Sequence, residues 1–181
     1  MKYDIVVIGS GLSGLQCAYI LSREGYNVCV LEKQKIIGGC LQTFSRCGST
    51  FDTGMHYIGG LDEGQVLHSF FNYFDLNRRL KLKRLDEDGY DIIRYGGKEY
   101  KFAMGFERFA DTMHSHFPFE DTAIDKYITK LKEIKKSVDI YNMRDFSGPN
   151  SDYFNYYGIG LNQFLNSITS NSTFKNVFVG L

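Results

Sequence analysis

The chain has 181 residues, 43% of them hydrophobic and 23% charged, and its 21 basic side chains balance 21 acidic ones. Such a composition describes a soluble globular polypeptide that can bury roughly 70% of its extended surface. Zero net charge argues against nucleic acid as the main partner, because phosphate neutralisation needs a basic excess. No apolar run approaches the roughly 20 residues of a membrane span, and the N-terminal run Ile5–Ile8 is too short for an export signal.

Asp4-Ile5-Val6-Val7-Ile8 is a β-branched run ending at Gly9, the pattern of a parallel strand buried on both faces. Leu12, Leu15, Ala18, Tyr19 and Leu21 then follow helical spacing, and Gly25 is placed to end that helix. Val28-Cys29-Val30-Leu31 reads as a second buried strand, ending at Glu32. Strand, helix and strand in about 30 residues make a βαβ unit. Lys33–Gly60 reads as a long loop without clear periodicity, and loops of that length in compact domains are usually functional. Asp62 is expected to open a helix, with Gln65 as its capping-box partner and Val66, Leu67, Phe70, Phe71 and Phe74 as its apolar stripe.

The pattern changes after Leu80. Lys81–Leu85 reads as a strand, and Tyr90–Tyr95 and Lys98–Ala103, joined by Gly96-Gly97, predict a hairpin with a two-residue turn. A helix over Phe106–His116 stops at Pro118. Thr122 with Asp125 opens an amphipathic helix that carries Ile124, Tyr127, Ile128, Leu131, Ile134, Val138 and Tyr141 on one face. Its lysines read first as a solvated face and second as a contact for an anionic membrane. Phe146–Gly160 reads as a Gly- and Tyr-rich loop, and Leu161–Ile168 as a short helix. The expected organisation is α/β. Residues 1–85 form the N-terminal part of a Rossmann-like domain, and 86–181 begin an α+β substrate domain. Two parallel strands are too few for a complete sheet, and Val177–Leu181 ends in apolar residues. Both lead to the expectation of a truncated chain whose partner is a missing C-terminal segment of the same protein.

Cys17, Cys29, Cys40 and Cys47 form no CxxC pair, which argues against a zinc site; no metal is expected. Without an export signal, a reduced cytoplasmic setting is the default, with membrane association as the second reading. Cys17 and Cys29 are expected to be small buried residues, and Cys40 and Cys47 lie in the loop.

The chemistry-bearing segment is Gly9-Ser10-Gly11-Leu12-Ser13-Gly14, set between a strand and a helix. There Gly9 permits a tight turn, Gly11 admits a pyrophosphate to the backbone, and Gly14 lets the helix pack on the strand. The helix N-terminus adds unpaired N–H groups and a positive dipole end. Glu32, at the end of the second strand, is placed to accept hydrogen bonds from an adenosine ribose and to repel a 2′-phosphate. These features leave FAD and NAD equally open.

Glu32-Lys33 through Gly38-Gly39-Cys40-Leu41-Gln42-Thr43, followed by Asp52-Thr53-Gly54-Met55-His56-Tyr57, resembles the extended fingerprint of two-dinucleotide-domain flavoproteins. Within these, Gly38–Phe44 and Phe51–Gly59 are similar to the retinol saturase, carotenoid isomerase and phytoene desaturase group. The likeness is strongest over residues 3–60. It implies non-covalent FAD and flavin hydride chemistry (saturation, desaturation or isomerisation) on a small apolar polyene or related lipid. The cofactor-binding residues it implies, with those of the glycine turn, are Glu32, Lys33, Gly38, Gly39, Cys40, Thr43, Gly54 and His56. His56 is also the best polar candidate for a catalytic role, with hydrogen bonding that holds its loop as the competing one. Thr43 has its own loop as an alternative partner, and Asp52 could serve the turn at Phe51–Gly54 as readily as a cofactor. The amine-oxidase branch usually carries Arg where this chain has Cys40, which favours the polyene reading. The competing readings are a non-catalytic dinucleotide-binding fragment, an amine-oxidase-like flavoenzyme and an NAD-dependent enzyme. Phe146, Tyr153, Phe154, Tyr156, Tyr157 and Phe164 have two readings, ordinary packing or the lining of an apolar tunnel.

Overall fold

Ile5–Ile8 forms strand β1 and Val28–Leu31 strand β2, paired in parallel from Ile5 opposite Val28 to Ile8 opposite Leu31. Helix α1, Leu12–Arg23, is the crossover between them. It ends in a Schellman motif: Gly25 has φ +91°, its N–H donates to the Ser22 carbonyl, and the Tyr26 N–H donates to that of Leu21. The computed structural model that shows this describes residues 2–55, 57–137, 156 and 158–180. Its backbone gathers into two compact units, residues 1–79 and 80–181.

In the first unit, burial of the strands is one-sided. Ile5 and Val7 are half-buried on the face that α1 covers, while Val6 is exposed and Ile8 is 88% exposed. Strands buried on both faces were expected. One helix on a two-stranded sheet covers only one face, so the opposite alternation stays open. Cys17, on α1, is exposed and Cys29, on β2, only half-buried, against the expectation that both are buried.

The segment expected to be one long loop is partly regular. Gly39–Leu41 makes a 3₁₀ turn, and β3 (Thr43–Arg46) pairs antiparallel with β4 (Ser49–Asp52). Cys47 and Gly48, both at positive φ, turn that hairpin, and Phe44 stacks on Phe51 at 5.3 Å. Helix α2 is Val66–Tyr73, four residues later than expected. Only half of the expected box forms: the Asp62 N–H donates to Gln65 Oε1, but the Gln65 N–H goes to the Asp62 main-chain carbonyl rather than to its side chain. Gln65 itself remains extended as the N-cap, so the helix starts after it. Tyr19 of α1 meets Phe74 at 5.1 Å, and the Arg23 guanidinium lies over the Tyr73 ring while donating to its carbonyl.

The second unit opens with β5 (Asp91–Tyr95) and β6 (Lys98–Phe102), antiparallel across Gly96-Gly97, both at positive φ as a primed turn requires. Among the described residues the helices that follow include α3 (Phe106–His116), α4 (Asp121–Ser137), α5 (Leu161–Ile168) and α6 (Ser172–Val179). Their apolar faces and the inner face of β6 enclose Phe102, Met113, Ile124, Leu165, Phe174, Val177 and Phe178. Phe178 stacks on Phe174 at 4.0 Å and meets the Tyr127 ring edge-on at 4.7 Å. Val177 and Phe178 are thus core of their own unit. Their helix is capped by Asn171, whose side chain accepts the Phe174 N–H.

Lys81–Leu85 is not a strand. The segment pairs with no strand among the described residues, and Leu82 and Leu85, three apart rather than alternating, stay exposed. Val138, Tyr141, Phe146, Tyr153, Phe154 and Tyr157 lie outside the described residues. Tyr156 and Phe164 do line one apolar cavity of about 170 Å³, with Tyr127, Leu131, Ile134 and Ile159. Among the described residues, no helix is long and apolar enough to cross a membrane.

Candidate dinucleotide site

The β1–α1 turn is held open by backbone alone. Gly9 sits at φ +96° and its N–H donates to the Leu31 carbonyl, tying the turn to the end of β2. Gly11 is the N-cap of α1, extended at φ −71° and without a side-chain cap, so first-turn N–H groups of the helix face the turn. A Cβ on Gly11 would meet nothing within 4 Å, so the space in front of it is free. A Cβ on Gly14 would collide with the Gly9 carbonyl oxygen and crowd the Val7 side chain. The first of these glycines supplies the turn, the second the open approach and the third the close packing of helix on strand.

The second glycine segment crosses the first. Gly38 N–H donates to the Ser10 carbonyl at 2.9 Å, and Gly11 and Gly38 form an isolated parallel bridge. Gly39, at φ +58°, lies so close that a Cβ on it would stand 3.0 Å from Gly11 Cα. A side chain there would fill the crossing, and the left-handed φ disfavours one in any case.

Glu32 turns its carboxylate into this crossing. Oε2 accepts the Ser10 N–H at 2.7 Å and the Ser10 hydroxyl at 2.6 Å, and Oε1 accepts the Gln34 N–H at 2.8 Å. These donors, Gln34 first and then the Ser10 hydroxyl and N–H, hold the carboxyl far below its ordinary 4.5, at about 2. The group is therefore an anion throughout the neutral range, beside a helix N-terminus.

The structure brings Gly9, Ser10, Gly11, Leu12, Ser13, Gly14, Glu32, Gly38 and Gly39 to one place. Cys40 lies in the 3₁₀ turn next to it, and its carbonyl abuts Gly54, where a Cβ would stand 2.6 Å away. Thr43 is in β3 opposite Asp52, Lys33 is exposed, and His56 lies outside the described residues. Thr53 was not singled out from sequence. Its hydroxyl reaches the Cys40 carbonyl at 2.9 Å and that of Gln42 at 2.7 Å, pinning the second glycine segment to β4. A threonine beside an Asp and a Gly carries no local signal for that contact, which exists only because the hairpin folds back.

A crossover helix whose glycine turn meets an acid at the end of the next strand defines a Rossmann-like dinucleotide-binding protein. Residues 7–74 match the family of NAD(P)-binding Rossmann-like domains. The chain is related, through this N-terminal part, to retinol saturase and prolycopene isomerase proteins. It is 36% identical over 145 residues to all-trans-retinol 13,14-reductase of Homo sapiens, which covers 76% of this chain and 23% of the relative. An inactive all-trans-retinol 13,14-reductase of Danio rerio is 30% identical over 77% of this chain and 24% of its own. A chloroplastic prolycopene isomerase 2 from an Oncidium hybrid cultivar is 27% identical over 82% of this chain and 25% of its own. The chain thus spans about a quarter of the length of these curated relatives. A solved putrescine oxidase triple mutant shares the fold over 99% of this chain and 36% of its own, with a TM-score of 0.61 at 20% identity.

Proposed function

We propose that this chain carries the dinucleotide-binding part of an FAD-dependent oxidoreductase acting on an apolar polyene or related lipid. The supporting observation is the crossing of Gly11 with Gly38–Gly39, open in front of Gly11 and flanked by the Glu32 carboxylate. Bare backbone suits a pyrophosphate, and a fixed anion suits ribose hydroxyls while repelling a 2′-phosphate. The polyene class comes from the relatives, whose names carry retinol and prolycopene.

Bound FAD would supply the hydride chemistry; the chain itself binds and orients. The α1 N-terminus and the glycine turn would hold the pyrophosphate, Glu32 the adenosine ribose, and the Gly38–Gly39 segment would pass beside the same ligand. Titrating the chain with FAD, followed by quenching of flavin fluorescence, tests the reading. Gly11→Val, whose side chain would fill the open approach, should weaken binding at least about tenfold. Unchanged affinity in that variant would remove the site from consideration.

The inactive relative supports a second reading, a dinucleotide-binding chain without catalysis. Anaerobic addition of all-trans-retinol to the protein loaded with chemically reduced FAD separates the two, because saturation of a polyene takes its hydride from reduced flavin. Reoxidation of the flavin supports the enzyme, and flavin that stays reduced supports the binding module.

A further inference from the structure

We propose that the Ser10 hydroxyl is a positioning group of the adenosine site: by occupying Oε2 of Glu32, it limits that carboxylate to gripping a single ribose hydroxyl. The inference rests on the dinucleotide reading above.

An ionised carboxylate offers about four acceptor positions, two on each oxygen. On Oε2 both are filled, one by the Ser10 N–H and one by the Ser10 hydroxyl. On Oε1 the Gln34 N–H takes one; the Lys33 N–H adds the weakest pull on the carboxylate and makes no hydrogen bond of ordinary length to it, so one position remains. Ser10 is only 1% exposed, so bulk water does not compete for its hydroxyl. Its carbonyl is held in turn by the Gly38 N–H, which fixes the residue from the other side. A ribose presents two neighbouring hydroxyls, 2′ and 3′, and only one of them finds a free acceptor on Glu32. The backbone bonds survive any side-chain change at residue 10; the hydroxyl bond does not. Ser10 therefore sets how many ribose hydroxyls are read, while Glu32 does the reading.

ADP, 2′-deoxy-ADP and 3′-deoxy-ADP titrated into the full chain test this by calorimetry. In the unmodified protein one deoxy analogue should bind as ADP does, and the other about fivefold or more weaker, the loss of one hydrogen bond to a charged group. Ser10→Ala frees an acceptor position on Oε2, so both analogues should then bind about threefold or more weaker than ADP. Ser10→Cys is larger than serine and a poor donor, and should follow the alanine variant; agreement between a smaller and a larger side chain guards against a folding defect in either one. Equal weakening of both analogues in the unmodified protein, or an unaltered pattern in the variants, would overturn the role of Ser10 and leave the dinucleotide reading standing. No binding of ADP at millimolar concentration would overturn that reading and the Ser10 role with it. A ligand-free measurement bears on the hydroxyl alone: the Glu32 carboxyl, followed by carbon NMR, should titrate closer to its ordinary range in Ser10→Ala. An unmoved titration there would also refute the proposal.

Discussion

Gly11 and Gly14 respond to an added methyl group in opposite ways, and the difference separates a ligand-facing glycine from a packing one. At Gly11 the backbone is extended and the space is free, so Gly11→Ala should cost no more than about 1 kcal/mol, the usual difference between these two residues at an N-cap. At Gly14 the new carbon would run into the Gly9 carbonyl, backbone against backbone. The gain of about 1 kcal/mol from alanine's helix propensity is smaller than an overpacking cost of about 1–3 kcal/mol, so Gly14→Ala should lower the melting temperature. Thermal unfolding of the two variants side by side checks this. Two pH effects also belong to single residues. Glu32 has its folded pKa depressed to about 2, so its stabilisation is complete above about 4.5 and is lost as pH falls toward 2. Burial lowers His116 below 6.5, which keeps the imidazole neutral in the fold; its contribution is complete above 6.5 and declines as pH drops below that value. Unfolding midpoints measured across pH should show His116→Gln flattening the upper window and Glu32→Gln the lower one. The glycines and Glu32 were legible in the sequence because each sits at a fixed offset within one βαβ unit. The Ser10–Glu32 and Thr53–Cys40 hydrogen bonds were not, since they join residues that only folding brings together.

Among the elements, those with a strong local period or an explicit turn were the legible ones. The β5–β6 hairpin follows from its Gly-Gly turn, α3 from the Pro118 that stops it, and α4 and α5 from apolar spacing. The β3–β4 hairpin was hidden because its Cys47-Gly48 turn lies in a stretch punctuated by other glycines, although Thr43-Phe44 and Thr50-Phe51 carry β-forming side chains. Lys81–Leu85 shows the converse, a segment read as a strand that pairs with no strand among the described residues. Packing makes α6 the keystone of its unit. Phe178 touches the Phe174, Phe102, Phe109, Phe117 and Tyr127 rings, so it links α6 to β6, α3, α4 and the turn after α3. Phe178→Ala should cost about 3–5 kcal/mol, read from denaturant unfolding. Val179→Ala, one residue on and exposed, should cost under about 1 kcal/mol.

Across the molecule, burial is uneven. All the buried apolar residues among those described belong to the second unit, and the first buries only Ser10. Local stability follows the apolar surface removed from water. Native-state hydrogen exchange should therefore find the slowest amides in α3, α4 and α6, and fast exchange in β1, β2 and β4. Equal protection in the two units would contradict this distribution. By itself the amino-acid order determined the βαβ unit, its glycine turn, the acid beyond it and helices α3, α4 and α5, because each depends on contacts or spacings local to one element or one crossover; α6 was not read from it. Tertiary structure decided which strand faces stay open, that the two glycine segments cross, and which donors hold Glu32. These depend on backbone approaches between segments distant in the chain, and no local pattern of side chains records them.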